Sequence, residues 1–210
     1  DSMIDVRRHE IMMQGRTPNE AAKAMKLLET KGNPFGPLTD RRAWFKALGV
    51  PIVPAGGEVD YLLFIGCSIG HDPTKYKIIE DLLKICAHRG IKVGILGDDE
   101  KCCGDPARLL GEERLFQEAA QAQLEAIQAR TFKAILTTCP HCLNVFRNEY
   151  QEFGATFKVL HHTELLRDLL KDPAVKATFE VARVVEDEPL AALERGLDRR
   201  ILEEVAQKLG

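Results

Sequence analysis

The sequence predicts an α/β fold: an open, mostly parallel four-stranded sheet with helices on both faces, and helical extensions at its N-terminal and C-terminal ends. Three observations predict it. Short apolar runs alternate with helix-period stretches four times between residues 58 and 170, and β–α units in series pair as parallel strands with helices packed across them. The run Tyr61–Ile65 is continuously apolar and ends at Gly66, as a parallel strand buried on both faces does. The flanking stretches, residues 1–57 and 171–210, carry helical periodicity instead. They read as an N-terminal helical extension with its linker and a C-terminal amphipathic helical extension.

In chain order, Met12, Met13, Ala21, Ala22, Met25, Leu27 and Leu28 give residues 1–35 an apolar stripe among charges. Gly32 to Pro37 breaks it. A short helix over residues 40–48 follows, and residues 51–57 form a linker. After the first strand, Pro73–Arg89 reads as a helix whose apolar face holds Ile78, Ile79, Leu82, Leu83 and Cys86, stopped by Gly90. Residues 91–96 read as the second strand. The stretch 105–130 is helical, with Asp105 as its cap and Pro106 in the first turn. Residues 132–136 form a third strand, 142–153 a helix stopped by Gly154, and 157–160 a fourth strand. Thr163 then caps a helix over 164–170. Leu190, Leu193, Leu197, Ile201, Val205 and Leu209 form a last helical stripe behind Pro189.

Composition narrows the function classes. The 210 residues are 45 % hydrophobic and 29 % charged, with a net charge of −3, which is ordinary for a globular chain and excludes collagen-like, coiled-coil and disordered classes. No basic stripe points to nucleic acid. The apolar runs are too short to span a bilayer, and no signal peptide is visible.

The cysteines carry the chemistry. Cys67 follows the first strand, Cys102 and Cys103 follow the second, and Cys139 and Cys142 follow the third. In an open parallel sheet the carboxyl ends of the strands share one edge, where ligands bind. Five thiols converging there suit a soft metal or an iron–sulfur cluster. Gly66, Gly70 and Gly104 would let the backbone approach and donate N–H groups to sulfur. Two other readings stay open. Cys139-Pro-His-Cys142 has the form of a thiol–disulfide oxidoreductase site, although that leaves three cysteines unexplained. A structural zinc site takes four ligands, and five cysteines are present. Cys86, on an apolar helix face, reads as core. His71 and His141 stand near cysteines in loops. His162, at the end of the fourth strand, is the candidate to support the site from behind.

The spacing Cys67-x34-Cys102-Cys103-Gly104-x34-Cys139-x2-Cys142 resembles the cysteine-rich CCG domain of heterodisulfide reductase catalytic subunits. The same domain occurs in iron–sulfur subunits of glycerol-3-phosphate, lactate and succinate oxidoreductases. Lys101-Cys-Cys-Gly-Asp-Pro-Ala-Arg108, Thr137-Thr-Cys-Pro-His-Cys142 and His161-His-Thr163 look like the branch of bacterial electron transfer flavoprotein:quinone oxidoreductases. Ile4-Asp-Val-Arg-Arg-His-Glu-Ile-Met-Met-Gln-Gly15 looks like the linker that follows a two-cluster ferredoxin module there. The resemblance covers residues 2–170 and makes 58–170 the CCG domain. It implies a noncubane [4Fe–4S] cluster held by Cys67, Cys102, Cys103, Cys139 and Cys142, with Gly66, Gly104 and His162 supporting it. It further implies electron relay between a flavoprotein and quinone, or direct disulfide reduction at the cluster. The expected partners are an electron transfer flavoprotein or other redox subunits, with a ferredoxin-type module and a membrane domain in the parent protein. The expected location is the cytoplasmic side, with membrane association through the parent chain or a partner. Family members usually carry two such domains in tandem, and the pattern occurs once here.

Overall fold

The computed structural model describes residues 2–36 and 41–172. The C-terminal stripe from Leu190 to Leu209 lies outside the described residues. The chain divides into two compact units, residues 1–162 and residues 163–210.

Four parallel strands form the sheet of the first unit. These are β1 (Glu58–Phe64), β2 (Val93–Ile95), β3 (Thr131–Thr137) and β4 (Val159–His161), in the spatial order β2-β1-β3-β4. The expected fold class is therefore the observed one. The apolar ends of β1 and β3 lie side by side, Leu62 against Ile135 and Phe64 against Thr137. All four of these side chains are buried. Fully burying a Leu, Ile or Phe stabilises by about 1.5–3 kcal/mol, so this register is held by its apolar run.

Helices flank the sheet. After β1 come α4 (Cys67–His71) and α5 (Tyr76–His88), the latter burying Ile79, Leu82 and Cys86 as its period requires. The stretch read as one helix over 105–130 is two, α6 (Asp105–Leu110) and α7 (Glu113–Gln128), separated at Gly111 and Glu112. The helix expected over 142–153 begins earlier, as α8 (Pro140–Asn144). It then changes pitch through a π-helical turn, Val145–Glu149, and a 3₁₀ turn, Tyr150–Phe153. The change lets Phe146 and Tyr150 meet edge to face at 4.7 Å, with Phe64 against Phe146 at 4.8 Å. The last described helix, α9, runs His162–Leu169.

The N-terminal extension packs into the same core. Its helices are α1 (Ser2–Arg8), continued by a π-helical turn over His9–Met13, then α2 (Asn19–Lys31) and α3 (Arg41–Leu48). Met25 and Leu28 of α2 join the core that holds Leu115 and Phe116. Arg8 bonds Glu113 at 2.8 Å. The expected stripe is only partly buried: Met12 and Met13 are exposed. They lie in the π-helical turn that precedes α2.

Connections set the site. The step from β1 to β2 and the step from β3 to β4 run in opposite directions along the sheet. Right-handed crossovers therefore leave β1 and β3 towards opposite faces. The crevice between their carboxyl ends is where an open α/β sheet takes its ligands.

Candidate functional site: a line of five thiols at the sheet edge

Phe64 and Thr137 are the last paired residues of β1 and β3, and Cys67 and Cys139 follow just beyond them. Gly66, between Phe64 and the site, has φ +82°. A Cβ on it would lie 3.4 Å from Cys142 Sγ and 3.8 Å from the Cβ of Cys139. The near neighbours of Gly66 are side chains of the loop after β3, but its N–H goes to Glu100 and not to sulfur.

The second loop is fixed by four hydrogen bonds that no local signal revealed. Glu100, 2 % exposed, accepts from the backbone N–H of Ile65 at 3.0 Å and of Gly66 at 2.9 Å. It clamps the segment before Cys102 to the turn before Cys67. The Cys102 N–H donates to the Gly32 carbonyl at 2.8 Å, so the extension also holds this loop. The buried Tyr150 hydroxyl donates to the Cys103 carbonyl at 3.0 Å. Gly104 turns the chain into α6 with φ +87°, where a Cβ would meet Phe116 Cδ2 at 2.9 Å. In the third loop the Cys139 N–H donates to Thr137 Oγ1 at 3.2 Å.

These constraints bring the five sulfurs into one line. Cys67 and Cys102 approach to 3.6 Å, and Cys103 and Cys142 to 3.5 Å. Cys103 adjoins Cys102 in the chain, and Cys139 lies near enough to Cys142 for the two to influence one another's titration. The order is Cys67, Cys102, Cys103, Cys142, Cys139. The middle three are buried, while the two ends are partly exposed.

The thiol bonds divide the sulfurs into donors and acceptors. Hydrogen bonds with Cys103 and Cys67, then burial, push the Cys102 thiol well above its usual range. Cys142 rises for the same reasons, through Cys103 and Cys139. Cys103 is held well below the usual range by hydrogen bonds from Cys102 and Cys142, helped by the Asp105 N–H. Cys139 is lowered to about 6, first by its bond from Cys142 and then by the N–H groups of Cys142 and His141, against the cost of burial.

This geometry corrects the expected cofactor. Among the described residues, no group of three or more His, Cys, Asp or Glu side chains is arranged to hold a metal ion. Cys102 turns towards Cys67, and Cys142 turns towards Cys103. The noncubane [4Fe–4S] cluster on Cys67, Cys102, Cys103, Cys139 and Cys142 does not fit this arrangement. The structural zinc alternative meets the same objection, and disulfide reduction at a cluster loses its cluster.

The remaining candidates resolve as follows. Cys86 is core, and burial pushes its thiol up to about 11. His71 stacks on Phe35 at 5.3 Å. Asp105 does not cap α6: its carboxylate pairs with His141 Nδ1 at 3.0 Å, while burial and then the Cys103 charge raise its pKa. The His162 ring packs on His161 at 4.3 Å and bonds the Thr137 backbone, and its Nδ1 is buried without a partner.

Comparison with known proteins agrees with the placement of the cysteines. The model of the CCG cysteine-rich domain matches residues 61–147, which contain all five. Residues 61–147 are a CCG cysteine-rich domain. The chain is 36 % identical over 180 residues to the probable iron-sulfur-binding oxidoreductase FadF of Bacillus subtilis, covering 82 % of this chain and 26 % of the relative. It is 34 % identical to the EtfAB:quinone oxidoreductase of Syntrophomonas wolfei, covering 83 % and 25 %. It is 29 % identical to a probable membrane-anchored ferredoxin of Chromohalobacter salexigens, covering 81 % and 26 %. This chain thus spans about a quarter of the length of these relatives. No solved structure matches. Among the described residues, no helix is long and apolar enough to cross a membrane.

Proposed function

We propose that this CCG domain is the thiol-bearing module of an oxidoreductase, and that Cys139 and Cys142 exchange electrons as a dithiol–disulfide pair. Relationship to bacterial oxidoreductases supports the general class. The observation that carries the specific chemistry is the state of Cys139: a partly exposed thiol lowered to about 6, bonded to the thiol of Cys142. The thiolate is the nucleophile in thiol–disulfide exchange, and a pKa near ambient pH is the optimum for attack. Cys139 attacks one sulfur of a disulfide and releases the other as a thiolate. Cys142 then attacks Cys139 Sγ and releases the second. The pair loses two electrons and two protons, and the acceptor becomes two thiols.

The relatives support a setting for this module. The EtfAB:quinone oxidoreductase and the membrane-anchored ferredoxin are consistent with a flavoprotein as redox partner and with membrane association through a parent chain or partner. The five cysteines are the site, and Gly66 and Gly104 shape its walls.

Alkylation of the reduced protein by iodoacetamide across pH 4–10 tests the reading. Cys139 is expected to react first, with a rate midpoint near 6, and Cys86 last. The same anaerobic preparation is analysed for iron, zinc and sulfide. Stoichiometric metal with all five cysteines protected from iodoacetamide would overturn the thiol reading.

A further inference from the structure

The face beside Cys67 carries an exposed aromatic pair that the chemistry of the site does not use. His71 lies one helical turn after Cys67 on α4, and residues four apart on a helix are neighbours on its surface. Phe35 stacks on the His71 ring, with 5.3 Å between centroids and 21° between planes, and is 51 % exposed. Among the described residues it is the only exposed Phe, Tyr or Trp. Its position is fixed. The Phe35 N–H donates to Asn33 Oδ1 at 2.8 Å, and the Gly36 N–H donates to the Asn33 carbonyl at 3.2 Å. Asn33 itself is buried. One residue earlier, the Gly32 carbonyl accepts from the Cys102 N–H, so the loop that presents Phe35 is tied to the cysteine loop after β2. An apolar ring already held in place loses little freedom on binding, and aromatic anchors of this kind are enriched in protein interfaces. Two cations flank the loop. Lys31 ends α2 and is exposed. The Lys101 side chain lies over Gly32, where a Cβ would meet its Cδ at 2.7 Å, and its Nζ donates to the Asp98 carbonyl. Among the described residues, neither ammonium is paired with a carboxylate. Of the acids nearby, Asp72 is matched by Lys75 at 3.1 Å, and Asp98 has a partner of its own.

We propose that this face, with Phe35 and His71 at its centre and Lys31 and Lys101 at its rim, is where the redox-partner protein docks, and that the partner meets it with an apolar pocket ringed by carboxylates. The proposal rests on the flavoprotein-partner reading above and adds to it the surface of contact. It is independent of the chemistry that the cysteines carry out. Phe35 enters the partner's pocket and supplies most of the affinity, as a rigid central anchor does. Lys31 and Lys101 steer the encounter and set its orientation, because complementary charge acts on association rate and specificity more than on raw affinity. A partner seated on Phe35 and His71 lies beside Cys67, which is partly exposed. The other exposed apolar side chains of the N-terminal extension, Met3, Val6, Met12 and Met13, stand on α1 and its π-helical turn, away from the loop that Cys102 holds.

The test measures binding of the full 210-residue chain to a purified electron transfer flavoprotein by titration calorimetry, at low and at physiological ionic strength. The wild type is expected to bind, and to bind more weakly as salt screens the lysines. Phe35→Ser is expected to weaken binding at least about 30-fold, the loss on truncating an interface hot spot. Phe35→Tyr keeps a ring over His71 and is expected to stay within about threefold of the wild type. Lys31→Glu is expected to slow association about tenfold at low salt and to flatten the salt dependence. Met13→Ser, at a residue 73 % exposed outside this face, is the control and is expected to bind as the wild type does. Thermal melts report whether each variant folds, and Lys31→Glu decides alone if Phe35→Ser does not. Wild-type binding that survives both Phe35→Ser and Lys31→Glu overturns this docking face and leaves the flavoprotein reading standing. A wild type that does not bind overturns both.

Discussion

Glu100 is the residue on which the geometry of the sulfur line turns. A buried carboxylate is costly unless its oxygens are hydrogen-bonded, and here each oxygen takes a backbone N–H, one from Ile65 and one from Gly66. That bridge is what brings Cys102 within reach of Cys67. Glu100→Ala leaves two buried N–H groups without this acceptor, and each such group costs about 1–3 kcal/mol. The variant is therefore expected to lose about 2–6 kcal/mol of stability in urea unfolding of the reduced protein. A loss below about 1 kcal/mol would show that the two N–H groups find another acceptor.

At the scale of elements, the site is made where a strand stops and a helix starts, three times over. The loop after β2 has the least freedom. Gly104 must turn it at φ +87° directly beneath Phe116, and Asp105 pairs with His141 across to α8. A side chain at Gly104 meets both a left-handed backbone and a ring at 2.9 Å. Gly104→Ala is expected to cost roughly 1–3 kcal/mol, the usual scale of local backbone strain, and to lower the thermal midpoint of the reduced protein. Gly154→Ala is the control: it shares the positive φ, at +88°, but has open space around it. A Gly104→Ala loss no larger than the Gly154→Ala loss would show that the Phe116 contact carries no cost.

For the molecule as a whole, the depressed Cys139 thiol links stability to pH. Its folded pKa, about 6, lies below its ordinary value of 9.0. Between those values the unfolded chain holds a proton that the folded chain has released, so stability rises with pH. This contribution is fully present above the unfolded value and is lost as pH falls through about 6. Urea midpoints of the reduced protein are expected to rise from pH 6 to pH 9 more in the wild type than in Cys139→Ser. Identical slopes would remove the thiolate assignment. Partial exposure of Cys139 lets solvent screen part of the effect, so the direction of the difference decides the test.

Much of this was legible without coordinates. The apolar runs and their turn residues determined the parallel sheet, because a strand buried on both faces needs an uninterrupted apolar stretch. Strand ends then placed the five cysteines at one edge, since parallel strands share their carboxyl end. Cys86 was legible as core from its helix face. Three matters depended on contacts far apart in sequence. The acidic run at Asp98, Asp99 and Glu100 gives no sign that its last member is buried under β1. Nothing near Tyr150 or Gly32 shows that each holds the cysteine loop after β2. The spacing of the cysteines could bring them together but could not set where their sulfurs turn. That was decided by Gly66, Glu100 and Tyr150, which fix the loop backbones at hydrogen-bond distances. The sequence by itself determined that five thiols would meet. Tertiary packing decided that they meet as a line of sulfurs bonded to one another, because side-chain direction depends on backbone angles that only the assembled loops impose.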